Sequence, residues 1–235
     1  DTEPIITFTG TQGEAPFIFT YTINGGPDLT VTSTGNSASV TVPTGIAGTF
    51  VYDLVSIQDA SSTACSNTVN SQSTTVIVNP LPTATIAGTT DACQDDTEPT
   101  ITFTGANGTA PYTFTYTVNG GATQTVTSTG DVATVTVPTG AAGTFTYNLV
   151  SVIDGTSTTC SNVVTGQTAS VLVNPLPSAV VDTDATVIVC EDDAEPTITF
   201  TGATGTAPYT FTYTINGGTP QTVTSTGNTV TVSAP

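Results

Sequence analysis

Between Pro111 and Gly120 apolar and polar residues alternate. Tyr112, Phe114, Tyr116 and Val118 fall on one side of an extended chain, and Thr113, Thr115 and Thr117 on the other. A period of two belongs to a strand with one buried face. Asn119-Gly120-Gly121 follows, residue types that tolerate positive φ and so predict a hairpin turn. Gln124–Thr129 is the expected return strand. Ala133–Val137 and Thr144–Val152 are two more, and Ala169–Val173 closes the series. Thr83–Ala87 and Thr100–Thr104 open it. No window has a helical period. About seven short strands with turn signals at regular spacing predict an all-β fold, an immunoglobulin-like β-sandwich. The chain has no Trp, so the expected core is aromatic and aliphatic: Ile101, Phe103, Phe114, Tyr116, Val135, Val137, Phe145, Tyr147 and Leu149.

This pattern occurs three times. DTEPIITFTG, DTEPTITFTG and DAEPTITFTG begin at positions 1, 96 and 193, offsets of 95 and 97. APFIFTYTINGG from 15 returns from 110 and 207 with few changes. VTSTG recurs at 31, 126 and 223. STACSN at 62 matches STTCSN at 157, and VIVNPLPTA at 76 matches VLVNPLPSA at 171. A period near 95 is the size of a small domain and too long for a solenoid repeat. NPLP is the expected linker, because its prolines stiffen the chain and cannot donate to a sheet. Cutting there gives a partial repeat over 1–82 that lacks its opening strand, a complete repeat over 83–177, and a partial repeat over 178–235 that lacks its closing strands. The chain contains no Met and reads as an excerpt of a longer secreted polypeptide.

Composition narrows the chemistry. There is no Lys, Arg or His, and 18 Asp and Glu give a formal net charge of −18. Phosphate neutralisation is out of reach, which argues against nucleic-acid partners. No Ser-His-Asp triad, Cys-His pair, Schiff-base Lys or phosphate-loop Lys can be assembled. Hydrophobic residues at 37% and abundant β-branched residues exclude the profile of a disordered acidic chain. No apolar run reaches about 18 residues, so no membrane-spanning helix is expected. Thr supplies 58 residues, which suit solvated sheet faces through their β propensity and cross-strand pairing.

The candidate sites are few. Four cysteines form two equivalent sets, Cys65 with Cys160 and Cys93 with Cys190. The expected pairing is Cys93–Cys160 inside the middle repeat, worth about 4 kcal/mol on the chain-entropy view. Cys65 and Cys190 would then pair outside the excerpt. The alternative, Cys65–Cys93, would join neighbouring repeats across NPLP. Acidic residues collect at the repeat openings: Asp91, Asp95, Asp96 and Glu98, and later Asp182, Asp184, Glu191, Asp192, Asp193 and Glu195. Clustered oxygen ligands suit Ca²⁺, so Asp91, Asp95, Asp96, Glu98, Asp192, Asp193 and Glu195 are candidate calcium ligands. The opposing reading is a solvated acidic loop, and no other cofactor is implied. Asn107-Gly108-Thr109 is the one N-glycosylation sequon, and surface Thr could carry O-linked glycans. No catalytic residues are assigned.

The run AGTFTYNLVSVIDGTSTTCSN…ASVLVNPLP resembles the closing half of PKD-like and bacterial immunoglobulin-like domains. GTAPYTFTYTVNGG with CQDDTEPTITFTG is similar to the tandem repeats of giant Bacteroidetes cell-surface adhesins, including gliding-motility adhesins exported by type IX secretion. The WDFGDG-type segment of standard PKD domains is absent. The resemblance implies many tandem copies, export to the cell surface and no catalytic role. The expected function is therefore an extracellular structural or adhesive array, the stalk or filament of a large adhesin, whose partners are its own neighbouring repeats and the secretion machinery. Two other expectations stand beside it: a filament or surface-layer subunit that assembles by strand exchange, and a module binding extracellular glycans. The second would need exposed Tyr, whereas Tyr112, Tyr116 and Tyr209 fall on the expected core face.

Overall fold

Alternation dictates pairing. In the computed structural model, which describes residues 2–182 and 186–234, all the regular structure is β, and no helix occurs among the described residues. The chain divides into two compact units. The first comprises Asp1–Thr83 with the short segments Ala106–Thr109 and Ile153–Asn162, and the second comprises the remainder.

The first unit contains β1 (Ile5–Thr9), β2 (Ile18–Ile23), β3 (Leu29–Thr32), β4 (Ser37–Thr41), β5 (Gly48–Gln58), β6 (Ser66–Thr68) and β7 (Ser73–Val78). β1 pairs with β4, while β3, β2, β5 and β6 form a second sheet in that order, with β7 also on β5. Phe8, Phe17, Phe19, Tyr21 and Tyr52 fill the space between them.

The middle repeat contains β8 (Thr83–Ala87), β9 (Thr90–Cys93), β10 (Thr100–Ala106), β11 (Thr113–Val118), β12 (Thr123–Thr127), β13 (Val132–Thr136), β14 (Gly143–Ile153), β15 (Ser161–Val163) and β16 (Thr168–Asn174). One sheet runs β13-β10-β8 and the other β12-β11-β14-β16-β9, with β15 on β14. Both sheets contribute to a single core. Ile101 and Phe103 come from the first, and Phe114, Tyr116, Tyr147, Leu149, Val171 and Val173 from the second. This is the expected immunoglobulin-like sandwich. Two strands were not expected. β9 is one of them, and it pairs with β16 in parallel, Val171 opposite Thr90 through Asn174 opposite Cys93. β15 is the other. Val135 and Phe145, expected in the core, are half-buried and pack against the core cluster.

The third repeat supplies β17 (Ser178–Val181), β18 (Thr197–Ala203), β19 (Thr210–Tyr213), β20 (Gln221–Thr224) and β21 (Thr229–Ser233). They pair as β17-β18-β21 and β19-β20.

Three local devices recur and explain why the repeats share their motifs. The hairpin Asn119 and Gly120 sit at φ 50° and 69°, as a tight turn requires. Asn119 also accepts a bond from Thr146 N at 2.7 Å and so ties the turn to β14. The Ser of each VTSTG is buried. Ser33 accepts from Phe17 N at 2.6 Å, and Ser225 accepts from Tyr209 N at 2.9 Å. Ser128 does the same for Tyr112 N at 2.7 Å. The Gly of each TFTG lies under an aromatic ring. A Cβ on Gly105 would stand 2.5 Å from Tyr112 Cγ, closer than packed carbons approach.

Candidate functional site

The acidic openings are turns. Asp95 and Asp192 occupy left-handed backbone, φ 64° and 68°, where Asp is tolerated better than most residues. Cys93 N donates to Asp96 Oδ2 at 3.3 Å, and Asp96 N donates back to Cys93 O at 3.2 Å. Cys190 and Asp193 repeat the arrangement at 2.8 and 3.1 Å. Thr139 Oγ1 donates to Asp96 O at 2.6 Å. These residues recur because they close a turn. Among the described residues, no three Asp, Glu or Cys come together in a group able to hold a metal ion. The structure therefore does not gather Asp91, Asp95, Asp96 and Glu98, or Asp192, Asp193 and Glu195, into a calcium site. Asp184 lies outside the described residues.

The expected Cys93–Cys160 bond is not formed, and all four thiols are free. The register gives the reason. Cys93 ends β9 opposite Asn174. β14 starts beside the same end of β16, Gly143 opposite Val173. It then runs 11 residues to Ile153, and the loop beyond it holds Cys160. At about 3.3 Å per residue that strand spans roughly 35 Å, while disulfide Cα atoms lie no more than about 7 Å apart.

Side-chain hydrogen bonds order the loop around Cys160. Asp154 is 4% exposed. Its Oδ1 accepts from Thr156 Oγ1 at 2.7 Å and Thr156 N at 3.3 Å, and its Oδ2 accepts from Thr109 N at 3.4 Å. Thr156 Oγ1 meets Thr158 Oγ1 at 3.1 Å, which meets Cys160 Sγ at 3.4 Å. A ladder of hydroxyls thus connects a carboxylate to a thiol. The first repeat builds the same ladder: Asp59 to Ser61 at 2.6 Å, Ser61 to Thr63 at 3.4 Å, and Thr63 to Cys65 at 3.2 Å. The Ser61 hydroxyl, aided by backbone N–H groups, outweighs partial desolvation and holds the Asp59 carboxyl below its ordinary range. Alternating Asp, hydroxyl, hydroxyl and Cys at every second residue is the sequence signal for this feature, D-x-[ST]-x-T-x-C, and it went unused in the sequence reading.

The same loop grips the linker. Asn79 Nδ2 donates to Thr158 Oγ1 at 3.0 Å, and Asn162 Nδ2 donates to Pro82 O at 3.0 Å. Asn107 Nδ2, the atom that would carry a glycan, donates to Thr83 Oγ1 at 3.1 Å. All of these residues belong to the first compact unit. In the second unit the next linker is also held, with Thr204 Oγ1 donating to Leu176 O at 2.7 Å. NPLP is thus anchored by hydrogen bonds as well as stiffened by proline.

Exposed hydroxyls pair across strands, Thr113 with Thr127 at 3.2 Å and Thr210 with Thr224 at 3.1 Å. Tyr112, Tyr116 and Tyr209 are buried in the cores and offer no sugar platform. Burial raises the Tyr116 and Tyr147 hydroxyls above their ordinary pKa. No protein-family model matches the chain, and no curated protein matches it.

Proposed function

We propose that this chain is a segment of an extracellular, non-catalytic repeat array, the stalk or filament of a large cell-surface adhesin. The observation that carries the reading is the hydrogen-bonded linker. Asn79 and Pro82 are held by Thr158 and Asn162, so a sandwich repeated at a fixed period is joined to the next by an anchored connection. A series of such joints gives reach with limited bending. Resemblance to Bacteroidetes gliding-motility adhesins supports surface attachment or gliding as the setting. Rotary-shadowed electron micrographs of the whole polypeptide should show a row of equal beads at regular spacing. A single globule would overturn the reading.

A further inference from the structure

The two cysteines of one repeat stand at different ends of β14, and this places each of them at a junction. At the end that receives the linker, Asn79 Nδ2 reaches Thr158 Oγ1 at 3.0 Å, and Thr158 Oγ1 lies 3.4 Å from Cys160 Sγ. The side chain of Asn79 therefore ends one hydroxyl away from the thiol. At the other end, Asn174 is the same residue of the following NPLP. Cys93 is its Cα partner in the parallel β9–β16 ladder, and Gln94 N donates to Asn174 O at 2.8 Å. Neighbouring strands lie about 4.8 Å apart. The two observations belong to equivalent linker asparagines and can be combined. The opening-strand cysteine of a leading repeat stands one strand spacing from an asparagine whose side chain touches the cysteine loop of the repeat behind it. Disulfide Cα atoms sit about 4.4–6.8 Å apart, which this arrangement can meet.

We propose that between consecutive complete repeats the opening-strand cysteine of the leading repeat forms a disulfide with the loop cysteine of the repeat that follows. In this chain Cys160 is the following partner at the Asn79–Thr83 junction, and Cys93 and Cys190 are leading partners at later junctions. The pairing uses every cysteine inside a row, because each complete repeat contributes one of each kind. At this junction Cys160 is flanked by Thr158, which accepts from Asn79 Nδ2, and by Asn162, which donates to Pro82 O, and it is 7% exposed. Two thiols form one S–S bond and release two protons and two electrons. A disulfide oxidant, such as glutathione disulfide or an exported thiol–disulfide oxidoreductase, accepts the electrons, and its own S–S bond becomes two thiols.

The cross-link builds on the tandem-array reading but is tested apart from it. A copy of residues 83–95 fused ahead of Asp1 gives the first repeat the opening strands and cysteine that the middle repeat carries. After oxidation with glutathione disulfide, alkylation and chymotryptic digestion, mass spectrometry should find the added cysteine joined to Cys160, with Cys65, Cys93 and Cys190 alkylated. Cys160→Ser should abolish the linked peptide. A bond to Cys65, or an alkylated Cys160, overturns the proposal. Should the extended chain not fold, Asn79→Cys in the original chain decides the matter. A bond to Cys160 supports the junction geometry, and two alkylated thiols overturn it. Either failure leaves the array standing, whereas a single globule in micrographs would remove the array and leave this junction unaffected.

Discussion

The two copies of the cysteine loop share the spacing of their Asp, hydroxyl and Cys residues and differ in their surroundings. Asp59-Ala60-Ser61-Ser62-Thr63-Ala64-Cys65 and Asp154-Gly155-Thr156-Ser157-Thr158-Thr159-Cys160 build one hydroxyl ladder. Asp154 and Cys160 are buried, while Asp59 is half-buried and Cys65 exposed. Thr158 and Asn162 are bonded to the linker, and their counterparts Thr63 and Asn67 are exposed. The ladder is thus a property of the local sequence. Its burial is a property of the junction. The second copy shows the motif packed against a linker, and the first shows that the ladder forms without one.

The contrast can be attacked at its strongest point first. Asp154→Ala leaves the Thr156 hydroxyl and Thr109 N–H facing a buried gap, and should cost about 1–3 kcal/mol in urea denaturation. Asp59→Ala should cost clearly less, because water reaches a half-buried site. Equal losses would show that the two loops are energetically alike. Asn162→Ala should cost about 1 kcal/mol and speed alkylation of Cys160 toward the rate of Cys65, with Asn67→Ala changing neither thiol. An unaltered Cys160 rate would mean that the linker bond does not shield it.

The smallest effect is electrostatic. The folded Asp59 carboxyl is held below its ordinary value, first by the Ser61 hydroxyl. Its contribution to stability is fully present above the unfolded pKa of about 3.9 and is lost as pH falls through the lower folded value. Carbon-13 NMR of the carboxyl should place the titration midpoint below the ordinary range, and Ser61→Ala should move it upward. A midpoint that stays put would assign the shift to the backbone donors instead.

Much of the fold is legible from alternation. Thr83–Ala87 is β8 as expected, and Tyr112, Phe114 and Tyr116 line the core because their spacing puts them on one face. β9 and β15 were missed for a physical reason. Thr90-Asp91-Ala92-Cys93 and Ser161-Asn162-Val163 are short and mostly polar, and partner strands hold them where their own patterns carry no signal. Buried polar residues were equally hidden. Only their hydrogen-bond partners reveal that Ser128 and Asp154 each accept from a backbone N–H. The acidic openings carry a role that charge alone does not announce: Asp96 and Asp193 each accept a backbone bond and close a turn.

β9 lies near the start of its repeat and β16 at its finish, and the two run parallel over four residue pairs. Tension drawing the ends of the repeat apart pulls β9 backward and β16 forward along a shared axis. The evenly spaced bonds of a parallel ladder are then loaded in shear and must yield together, unlike a hairpin, which unzips one bond at a time. The middle repeat therefore carries its own clamp against extension, formed by the strand that ends in Cys93.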